Sequence, residues 1–236
     1  RLQVEHPVTE LITGIDLVEQ MIRVSAGEKL PFTQDDIKLN GWAVESRVYA
    51  EDPYRNFLPS IGRLVRYQPP IAGTDDDGLT IRNDTGVYEG GEISMFYDPM
   101  IAKLVTHGPD RKSAIEHMSR ALDAFYIEGI QQNIPFLSAL MEHPRWIEGR
   151  LSTAFIAEEY PDGFHPRAPS GDVERTICAV ATCVDHFQNT RRRGITGQMH
   201  VGGYRFPGHR VVRLDGREVL VTVSGEFPDY SIVFQN

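Results

Sequence analysis

The sequence predicts an α+β fold that is followed by a β-rich module. Apolar and polar residues alternate over 42–50, which is typical of a strand with one buried face. Apolar residues recur at helical spacing after Asp110, a residue type that often caps helices. A longer helical pattern at 173–193 precedes a hairpin signal at 214–217. Helices and strands therefore mix in the first part, whereas one helix and short antiparallel strands form the second.

The opening stretch predicts a strand, a break and a capped helix. Residues 1–6 are expected to be extended, and Pro7 ends this strand. Asp16 can cap a helix, Glu19 completes its capping box, and Gly27 ends it. The helix is expected to bury a stripe formed by Leu17, Val18, Met21, Ile22 and Ser25.

The same periodicities predict the remaining elements and their buried faces. In strand 42–50, one face carries Trp42, Val44, Ser46, Val48 and Ala50, and the other carries Ala43, Glu45, Arg47 and Tyr49. Further predicted elements are strands at 63–67, 79–83, 101–107 and 126–130, and a helix that opens at Asn133. The helix after Asp110 is expected to bury Ala114, Ile115, Met118, Ala121, Leu122 and Phe125. The helix at 173–193 is expected to bury Val173, Ile177, Val180, Ala181, Val184 and Phe187.

Composition excludes several classes of function. The net charge of −9 and the pI of about 5.4 argue against a nucleic-acid partner. No apolar run approaches the length of a membrane span, and no membrane partner is expected. Cys178 and Cys183 form no CxxC motif, and the eight histidines, His200 among them, are too scattered to predict a metal site. No phosphate-binding GxxxxGK[ST] loop occurs, so we do not expect this stretch alone to bind ATP.

Three polar side chains in the opening stretch form a candidate site. In an extended strand, Arg1, Gln3 and Glu5 would share one face. A guanidinium, an amide and a carboxylate in one row suit the binding and deprotonation of a small planar oxyanion. The alternative is an exposed strand face with an ordinary ion pair. The pair of Glu45 and Arg47 on one strand face is likewise open to a purely structural interpretation.

Three runs of sequence carry a family resemblance. The opening RLQVEHPVTE and the following LITGIDLVEQ resemble the C-terminal part of the ATP-grasp core of biotin carboxylases. The run GWAVESRVYAEDP at 41–53 resembles the segment that opens the last subdomain of these enzymes. The run YDPMIAKL at 97–104 resembles a third segment of the same family. On these runs the chain is identified as a member of the biotin carboxylase family.

The resemblance implies a division of the chain. Residues 1–40 would be the end of an ATP-grasp core, and 41–160 the biotin carboxylase C-terminal subdomain, an antiparallel sheet with packed helices. The Gly- and Pro-rich stretch 161–172 would be a linker. Residues 173–236 would be a long helix and the start of an antiparallel β-barrel-like module. Because Arg1 lies within a predicted strand, we expect the chain to be part of a longer protein.

The resemblance also implies a reaction and its residues. In this family, bicarbonate and ATP give carboxyphosphate, which supplies the carboxyl group for biotin. Glu5 matches the general base, and Arg1, Gln3 and the backbone of Val4 match groups that bind bicarbonate. Arg1 also matches a catalytic residue, and Arg47 matches the arginine that binds the biotin ureido group and acts in catalysis. The nucleotide site, its Mg²⁺ or Mn²⁺ ligands and the biotin-bearing lysine would lie elsewhere, with no metal ligand in this chain.

The YPDGF run and the chain beyond it are similar to α subunits of propionyl-CoA carboxylases. That similarity implies a carboxyltransferase β subunit and a biotin carboxyl carrier domain as partners, in a hetero-oligomer. The compartment would be the cytoplasm, or the mitochondrial matrix in a eukaryote. Alternatives are an α subunit for methylcrotonyl-CoA or acetyl-CoA. A further alternative is that this stretch is a non-catalytic binding and assembly piece.

Overall fold

The computed structural model describes residues 1–197 and 207–235. The chain divides into two compact units, Arg1–His165 and Pro166–Asn236. His200, one of the histidines considered above, lies outside the described residues. Among the described helices, none combines the length and the apolar character needed to cross a bilayer.

The first unit contains six α-helices, two short 3-10 helices at Gln34–Asp36 and Pro53–Arg55, and ten strands among its described residues. The helices are α1 His6–Thr13, α2 Leu17–Ser25, α3 Arg111–Asp123, α4 Ile134–Met141, α5 Pro144–Glu148 and α6 Phe155–Glu159. The longer strands are β1 Trp42–Tyr49, β5 Arg66–Gln68, β7 Thr80–Thr85, β9 Met100–Gly108 and β10 Tyr126–Glu128. Two-residue strands complete the set, namely β2 Glu51–Asp52, β3 Leu58–Pro59, β4 Gly62–Arg63, β6 Gly73–Thr74 and β8 Glu92–Ile93.

A four-stranded antiparallel sheet in the order β1-β9-β7-β6 forms the centre of this unit. The predicted alternation fails at the start of β1, where Trp42 is exposed and Ala43 is buried, but it holds further along, where Val44, Ser46 and Val48 are all buried. They face α3, and the Thr106 hydroxyl of β9 donates to the Ala114 carbonyl of that helix at 2.8 Å. The core thus lies between one face of the sheet and the helices packed on it.

Helix α3 begins and packs as its sequence predicts. The Asp110 carboxylate accepts a hydrogen bond from the Ser113 backbone N–H at 2.8 Å, which satisfies a free donor of the first turn. The six residues of the predicted apolar stripe are all buried, namely Ala114, Ile115, Met118, Ala121, Leu122 and Phe125. Strong amphipathic periodicity together with a capping residue therefore sufficed to predict this helix.

The prediction that Pro7 ends a strand was wrong. Residues 4–5 form a turn, and Pro7 lies in the first turn of α1, which covers the second face of the sheet. Proline suits this position because its fixed φ matches a helix and its missing N–H would have no helical acceptor. The opening residues therefore turn into a helix over β1 and β9.

Helix α2 is capped as predicted but does not bury the predicted stripe. The Asp16 carboxylate accepts from the Glu19 N–H at 2.8 Å, whereas the Glu19 side chain accepts from Arg23 and forms no capping box. No residue of α2 is buried, and Met21 and Ile22 are exposed. Periodicity identifies an apolar face, but whether another element covers it depends on the tertiary structure.

The predicted strand at 63–67 is two short strands, because its residues hydrogen-bond to different partners. The Leu64 N–H donates to the Gly91 carbonyl at 2.9 Å, while the Val65 N–H donates to the Glu128 carbonyl at 2.8 Å. β4 therefore pairs with β8, and β5 pairs with β10. The strands predicted at 79–83, 101–107 and 126–130 correspond to β7, β9 and β10.

Aromatic rings fix the end of the first unit. Phe164 is buried, and its ring centroid lies 5.3 Å from those of Tyr54 and Phe136 and 5.8 Å from that of Tyr160. Such contacts stabilise beyond simple burial of area. The stretch 161–172 that was expected to be a linker thus includes a residue of the first unit's core.

Arg111 at the start of α3 lies between two indole rings. Its guanidinium carbon is 5.8 Å from the centroid of Trp42 and 5.6 Å from that of Trp146. Its Nη2 also donates to the Trp146 carbonyl at 2.5 Å. The start of β1, the start of α3 and helix α5 are therefore joined by cation–π contacts.

The second unit consists of α7 Gly171–Arg193 and the strands β11 His209–Leu214, β12 Arg217–Glu226 and β13 Asp229–Phe234. Asp215 and Gly216 have φ values of 49° and 76°, which suit the predicted two-residue turn between β11 and β12. The described strands form a three-stranded antiparallel sheet, and no closed barrel is found among them.

The predicted buried stripe of α7 was wrong. Its buried residues are Cys178, Thr182 and Asn189, while Val173 and Val180 are exposed. The described sheet covers a different face of the helix from the apolar stripe. The helix therefore presents an apolar surface that the described residues leave uncovered, formed by Val173, Ile177, Val180 and Val184.

Replacing Phe164 tests whether this residue belongs to the first unit's core. Phe164→Ala should lower the free energy of unfolding of that unit by about 3 kcal/mol, because it leaves a cavity among three rings. Phe96→Ala, at an exposed phenylalanine, should change it by less than about 0.5 kcal/mol. Hydrogen exchange of the α3 and β9 amides measures the free energy of unfolding of both variants. Equal protection in the two variants would show that residue 164 lies outside the core.

His117 on α3 predicts a pH dependence of stability. The ring is buried, and neither nitrogen has a hydrogen-bond partner among the described residues. Burial lowers its pKa below 6.5, Arg120 lowers it further, and Asp75 partly opposes this. The unfolded chain therefore takes up the proton first, so the stability present above pH 6.5 is lost as the pH falls towards the lower folded-state pKa.

The His117→Leu variant, which cannot titrate at this position, should lose less stability than the original chain between pH 7.5 and 5.5. The exposed His165 supplies the control, because His165→Gln should leave the slope unchanged. Urea unfolding followed by circular dichroism at both pH values measures the slopes. Identical slopes for His117→Leu and the unaltered chain would contradict the assignment.

Candidate functional site

The N-terminal turn and the sheet meet through an ion pair between Glu5 and Arg47. The Arg47 Nη2 donates to the Glu5 Oε2 at 3.1 Å. Glu5 lies at the N-terminal end of α1, and Arg47 projects from β1 towards that helix. The two side chains are 54% and 39% exposed, so both remain accessible to a small ligand.

A second carboxylate binds the same guanidinium from within the sheet. The Arg47 Nε donates to the Glu45 Oε1 at 2.7 Å, and the Glu45 side chain is only 7% exposed. The two residues are two positions apart on β1 and therefore share a face. The bond to Glu45 raises the pKa of Arg47, although partial burial opposes the rise. The guanidinium is therefore cationic at any physiological pH.

Lys103 lies beside Arg47 in the sheet and binds the turn that carries Glu5. Strand pairing places Arg47 opposite Lys103, and Lys103 opposite Asp84. The Lys103 ammonium lies 3.4 Å from the Val4 carbonyl oxygen, to which it donates, and 3.4 Å from an Asp84 carboxylate oxygen. A row of three charged side chains across β1, β9 and β7 thus supports residues 4–5.

Arg82 fixes α1 to the same face of the sheet. Its Nε and Nη2 donate to the two Asp84 carboxylate oxygens at 2.8 and 2.9 Å, and its Nη1 donates to Glu10 Oε2 at 2.6 Å. Burial alone would raise the pKa of Asp84, but the bonds from Arg82 and the charge of Lys103 lower it below 3.8. Asp84 therefore stays ionised and holds both cations.

A cavity of about 550 Å³ lies beside Glu5, and Arg1 and Gln3 form part of its wall. Much of the remaining wall is apolar and comes from α2 and the residues after it, including Leu17, Met21, Val24, Leu30 and Phe32. Arg47 is not part of this wall, and it approaches Glu5 from the sheet. Glu5 thus lies between a cavity that can admit an anion and the guanidinium of Arg47.

The structure groups the predicted residues, but not by strand alternation. Arg1, Gln3 and Glu5 line one cavity because the chain turns at residues 4–5, and the Val4 carbonyl faces Lys103. The contact between Glu45 and Arg47 is present as the sequence predicted. The catalytic and binding roles of all these residues stay predictions.

Sequence reasoning missed Lys103, Asp84, Arg82 and Glu10. Lys103 lies within the YDPMIAKL run that resembles the family, which was the one available signal. Glu10 also lies within a run that resembles the family, the opening RLQVEHPVTE, but nothing in the run indicates its contact with Arg82. Arg82 and Asp84 have no motif spacing, and their grouping with Lys103 depends on which strands pair and in what register. Register between distant strands is set by tertiary packing and cannot be read from local periodicity.

The arrangement can hold an anion and accept a proton from it. Arg1 supplies a guanidinium, Gln3 an amide, and Glu5 a carboxylate that meets the cation of Arg47. These groups suit an oxyanion that donates a proton to Glu5. Within the described residues, no group of three or more His, Cys, Asp and Glu side chains is placed to hold a metal ion.

Comparison with protein families gives two matches. A model of the biotin carboxylase C-terminal domain matches residues 45–158, and one of the ATP-binding domain of the carbamoyl-phosphate synthase L chain matches residues 1–33. A propionyl-CoA carboxylase alpha chain from Ruegeria pomeroyi is 53% identical over the whole of this chain. The chain belongs to the biotin carboxylase family. It spans 37% of the length of that relative.

Other members of the biotin carboxylase family resemble smaller parts of the chain. A methylcrotonoyl-CoA carboxylase subunit alpha from Mus musculus is 48% identical over 69% of this chain and 22% of its own length. A solved structure is the biotin carboxylase domain dimer of the Hydrogenobacter thermophilus 2-oxoglutarate carboxylase in complex with MgADP, ADP and bicarbonate. It is 41% identical over 68% of this chain and 34% of its own, with a TM-score of 0.63.

The Asp84→Asn variant tests the charged row beneath the site. At pH 7 it should lower the free energy of unfolding by about 2 kcal/mol, because two charge-assisted hydrogen bonds lose their anion. The folded-state pKa of Asp84 is below 3.8. The loss should therefore shrink as the pH falls through this folded-state pKa, because the carboxylate of the original chain then becomes protonated. Urea unfolding at pH 7 and pH 3 measures the difference.

The exposed Asp76 supplies the matched control, because Asp76→Asn removes the same charge from the same unit without removing a partner of Arg82. Its effect should stay within about 0.5 kcal/mol at either pH. A loss for Asp84→Asn that is as large at pH 3 as at pH 7 would contradict the charged-row interpretation.

Proposed function

We propose that this chain contributes the bicarbonate- and biotin-binding half of the active site of an ATP-dependent biotin carboxylase. The ligase would be the α subunit of a propionyl-CoA carboxylase. Residues 1–40 are assigned to the end of an ATP-grasp core and 41–160 to the biotin carboxylase C-terminal subdomain. Residues 161–172 are assigned to a linker whose Phe164 packs into the core of the first unit, and 173–236 to a helix and the start of a β-barrel-like docking module. The match of an ATP-binding domain model to residues 1–33 supports the first assignment.

The contact between Glu5 and Arg47 carries the proposal. These residues are 42 positions apart in the chain, and they come from the two segments that resemble the family. Their separation of 3.1 Å allows a base and a biotin-binding cation to act on adjacent ligands. The bicarbonate in the Hydrogenobacter thermophilus relative supports an anion as one of those ligands.

Each residue then has a distinct task. Arg1, Gln3 and the Val4 backbone hold bicarbonate, and Glu5 accepts its proton. Arg1 also acts in catalysis by stabilising the anion that this proton transfer leaves. Arg47 donates to the ureido oxygen of biotin, on which negative charge develops as the ring is deprotonated. Biotin, when bound, supplies the nitrogen that accepts the carboxyl group.

The exposed part of the Arg47 guanidinium fits the ureido group of biotin. The Arg47 guanidinium is 39% exposed and cationic, so its free edge can donate to a ureido oxygen. ATP and its Mg²⁺ or Mn²⁺ are assigned to other parts of the protein, as the family resemblance implies. The MgADP in the Hydrogenobacter thermophilus relative supports this nucleotide and metal for the complete enzyme.

The relatives favour particular acyl-CoA substrates, and the family resemblance implies the partners. The relative from Ruegeria pomeroyi favours propionyl-CoA, and the one from Mus musculus keeps methylcrotonyl-CoA as an alternative, with acetyl-CoA as another. We propose a hetero-oligomer with a carboxyltransferase β subunit and a biotin carboxyl carrier domain. The compartment would be the cytoplasm, or the mitochondrial matrix in a eukaryote, as the name of the mouse relative indicates for that protein.

A second candidate function is assembly without catalysis by this stretch alone. The uncovered apolar surface of α7, formed by Val173, Ile177, Val180 and Val184, favours it. The rates of the full-length Glu5→Ala and Arg47→Ala variants distinguish the two candidates, because assembly without catalysis predicts no loss of rate. An ATPase assay of residues 1–236 with free biotin and bicarbonate adds a one-sided test. ATPase activity would exclude assembly as the only function of this stretch. We expect no activity, because the nucleotide site is assigned to another part of the protein.

Glu5 and Arg47 are tested in the full-length protein. Glu5→Ala or Arg47→Ala should lower the rate of biotin carboxylation about a hundredfold or more, because each removes a group that acts on the reacting atoms. Circular dichroism should stay unchanged, since both side chains are half-exposed. The rate is measured as ADP release with free biotin and bicarbonate.

Arg66→Ala is the control, because Arg66 also forms an exposed ion pair from a strand of the same unit, with Glu89 at 3.3 Å. It should retain the original rate. Full bicarbonate-dependent cleavage of ATP by the Glu5→Ala variant would refute the role of Glu5 as the base.

A further inference from the structure

Arg47 is bound by two carboxylates in very different environments. Glu45 accepts from Nε at 2.7 Å and is 7% exposed, whereas Glu5 accepts from Nη2 at 3.1 Å and is 54% exposed. The Nη1 group has no hydrogen-bond partner among the described residues. One edge of the guanidinium is therefore anchored in the sheet, and the other groups can reach a ligand.

The anchor fixes the orientation of the guanidinium. This group is planar, so a short bond at Nε together with the side-chain stem defines the plane in which Nη1 and Nη2 lie. Glu45 and Arg47 share a rigid strand, and β1 is hydrogen-bonded to β9 along its length. Glu5, by contrast, lies in a turn, so its bond to Arg47 contributes less to the rigidity of the guanidinium.

The second oxygen of Glu45 is costly for stability. Oε2 is buried and has no hydrogen-bond partner among residues 1–197 and 207–235. A buried carboxylate oxygen without a donor loses its hydration without compensation. An arginine–carboxylate pair is often no more stabilising than well-packed apolar residues in place of both partners. Stability of the sheet alone therefore does not explain why this pair occupies β1.

We infer that Glu45 is a positioning residue for catalysis, which holds Arg47 so that its Nη groups can exchange Glu5 for the ureido oxygen of biotin. This inference rests on the proposed function of Arg47. In the free site Arg47 binds both carboxylates. When biotin enters, Nη2 leaves Glu5 and Glu5 becomes free to act on bicarbonate, while Glu45 keeps the guanidinium in place. Glu45 itself touches no substrate and moves no proton.

The experiment uses the full-length protein with free biotin, bicarbonate and ATP. Glu45→Gln keeps the length of the side chain and an oxygen acceptor for Nε, but it removes the charge that strengthens the bond. The kcat for biotin carboxylation should fall about tenfold, because one charge-assisted hydrogen bond that orients Arg47 is weakened. The KM for ATP should not change. Glu89→Gln, which weakens the arginine–carboxylate pair at Arg66, should leave kcat unchanged.

A double-mutant cycle separates positioning from a structural role. If Glu45 acts through Arg47, then Glu45→Gln should have no further effect on kcat in an Arg47→Ala background. The Glu45→Gln variant should stay folded at the assay temperature, because the amide oxygen still accepts from Nε and Arg47 is partly exposed. Multiplicative losses of kcat, or a loss of kcat that only follows the unfolded fraction of the variant, would overturn the inference.

The outcome for Arg47→Ala alone distinguishes the two proposals. If Arg47→Ala retains activity, the proposed function of Arg47 fails, and the inference about Glu45 fails with it. If Arg47→Ala loses activity while Glu45→Gln retains the original kcat, the proposed function stands and only the inference about Glu45 is overturned.

Discussion

The bond between Arg47 and the buried Glu45 is the interaction on which the candidate site depends. It places a cation on a strand whose backbone is hydrogen-bonded to β9, and that cation in turn meets the carboxylate of Glu5. Without it, the turn at residues 4–5 would still contact Lys103, but the guanidinium would have no fixed direction. The chemistry proposed for the site requires a fixed direction, because catalytic groups act through defined geometry.

The central sheet has a different role on each face. The face with Val44, Ser46 and Val48 packs on α3 and forms the core. The opposite face carries three cationic side chains that contact α1 and the turn before it, namely Arg47, Arg82 and Lys103. Two carboxylates of the same face bind these cations, Glu45 at Arg47 and Asp84 at Arg82 and Lys103. Strand alternation alone produces this separation, so the same hydrogen bonds that stabilise the core also position the charged groups.

Local sequence signals predicted elements well where cap, periodicity and burial agreed. Helix α3 and the faces of β1 follow from Asp110 and from alternation. The apolar stripes of α2 and α7 were identified as helical faces, but their burial was wrong, since burial depends on which element covers a face. Pro7 was misassigned because proline is compatible both with the end of a strand and with the first turn of a helix.

Some residues of the candidate site could be predicted from the sequence, whereas others join it only through the fold. Glu5 and Arg47 could be named because they lie within runs that resemble a known family, although the argument from an extended strand was wrong. Lys103 and Asp84 join them only through the pairing of β1, β9 and β7. That pairing brings residues far apart in the chain to one row, and no spacing in the sequence records it.

The position of Arg111 between two rings has a spectroscopic consequence. Trp42 and Trp146 are the only tryptophans of the chain, and both lie within 5.8 Å of this one guanidinium, measured from its carbon to the ring centroids. Intrinsic indole fluorescence of the chain is therefore a local reporter of the corner where β1, α3 and α5 meet. Its emission follows the opening of that corner and contains no tryptophan signal from the second unit, whose unfolding has to be followed through tyrosine.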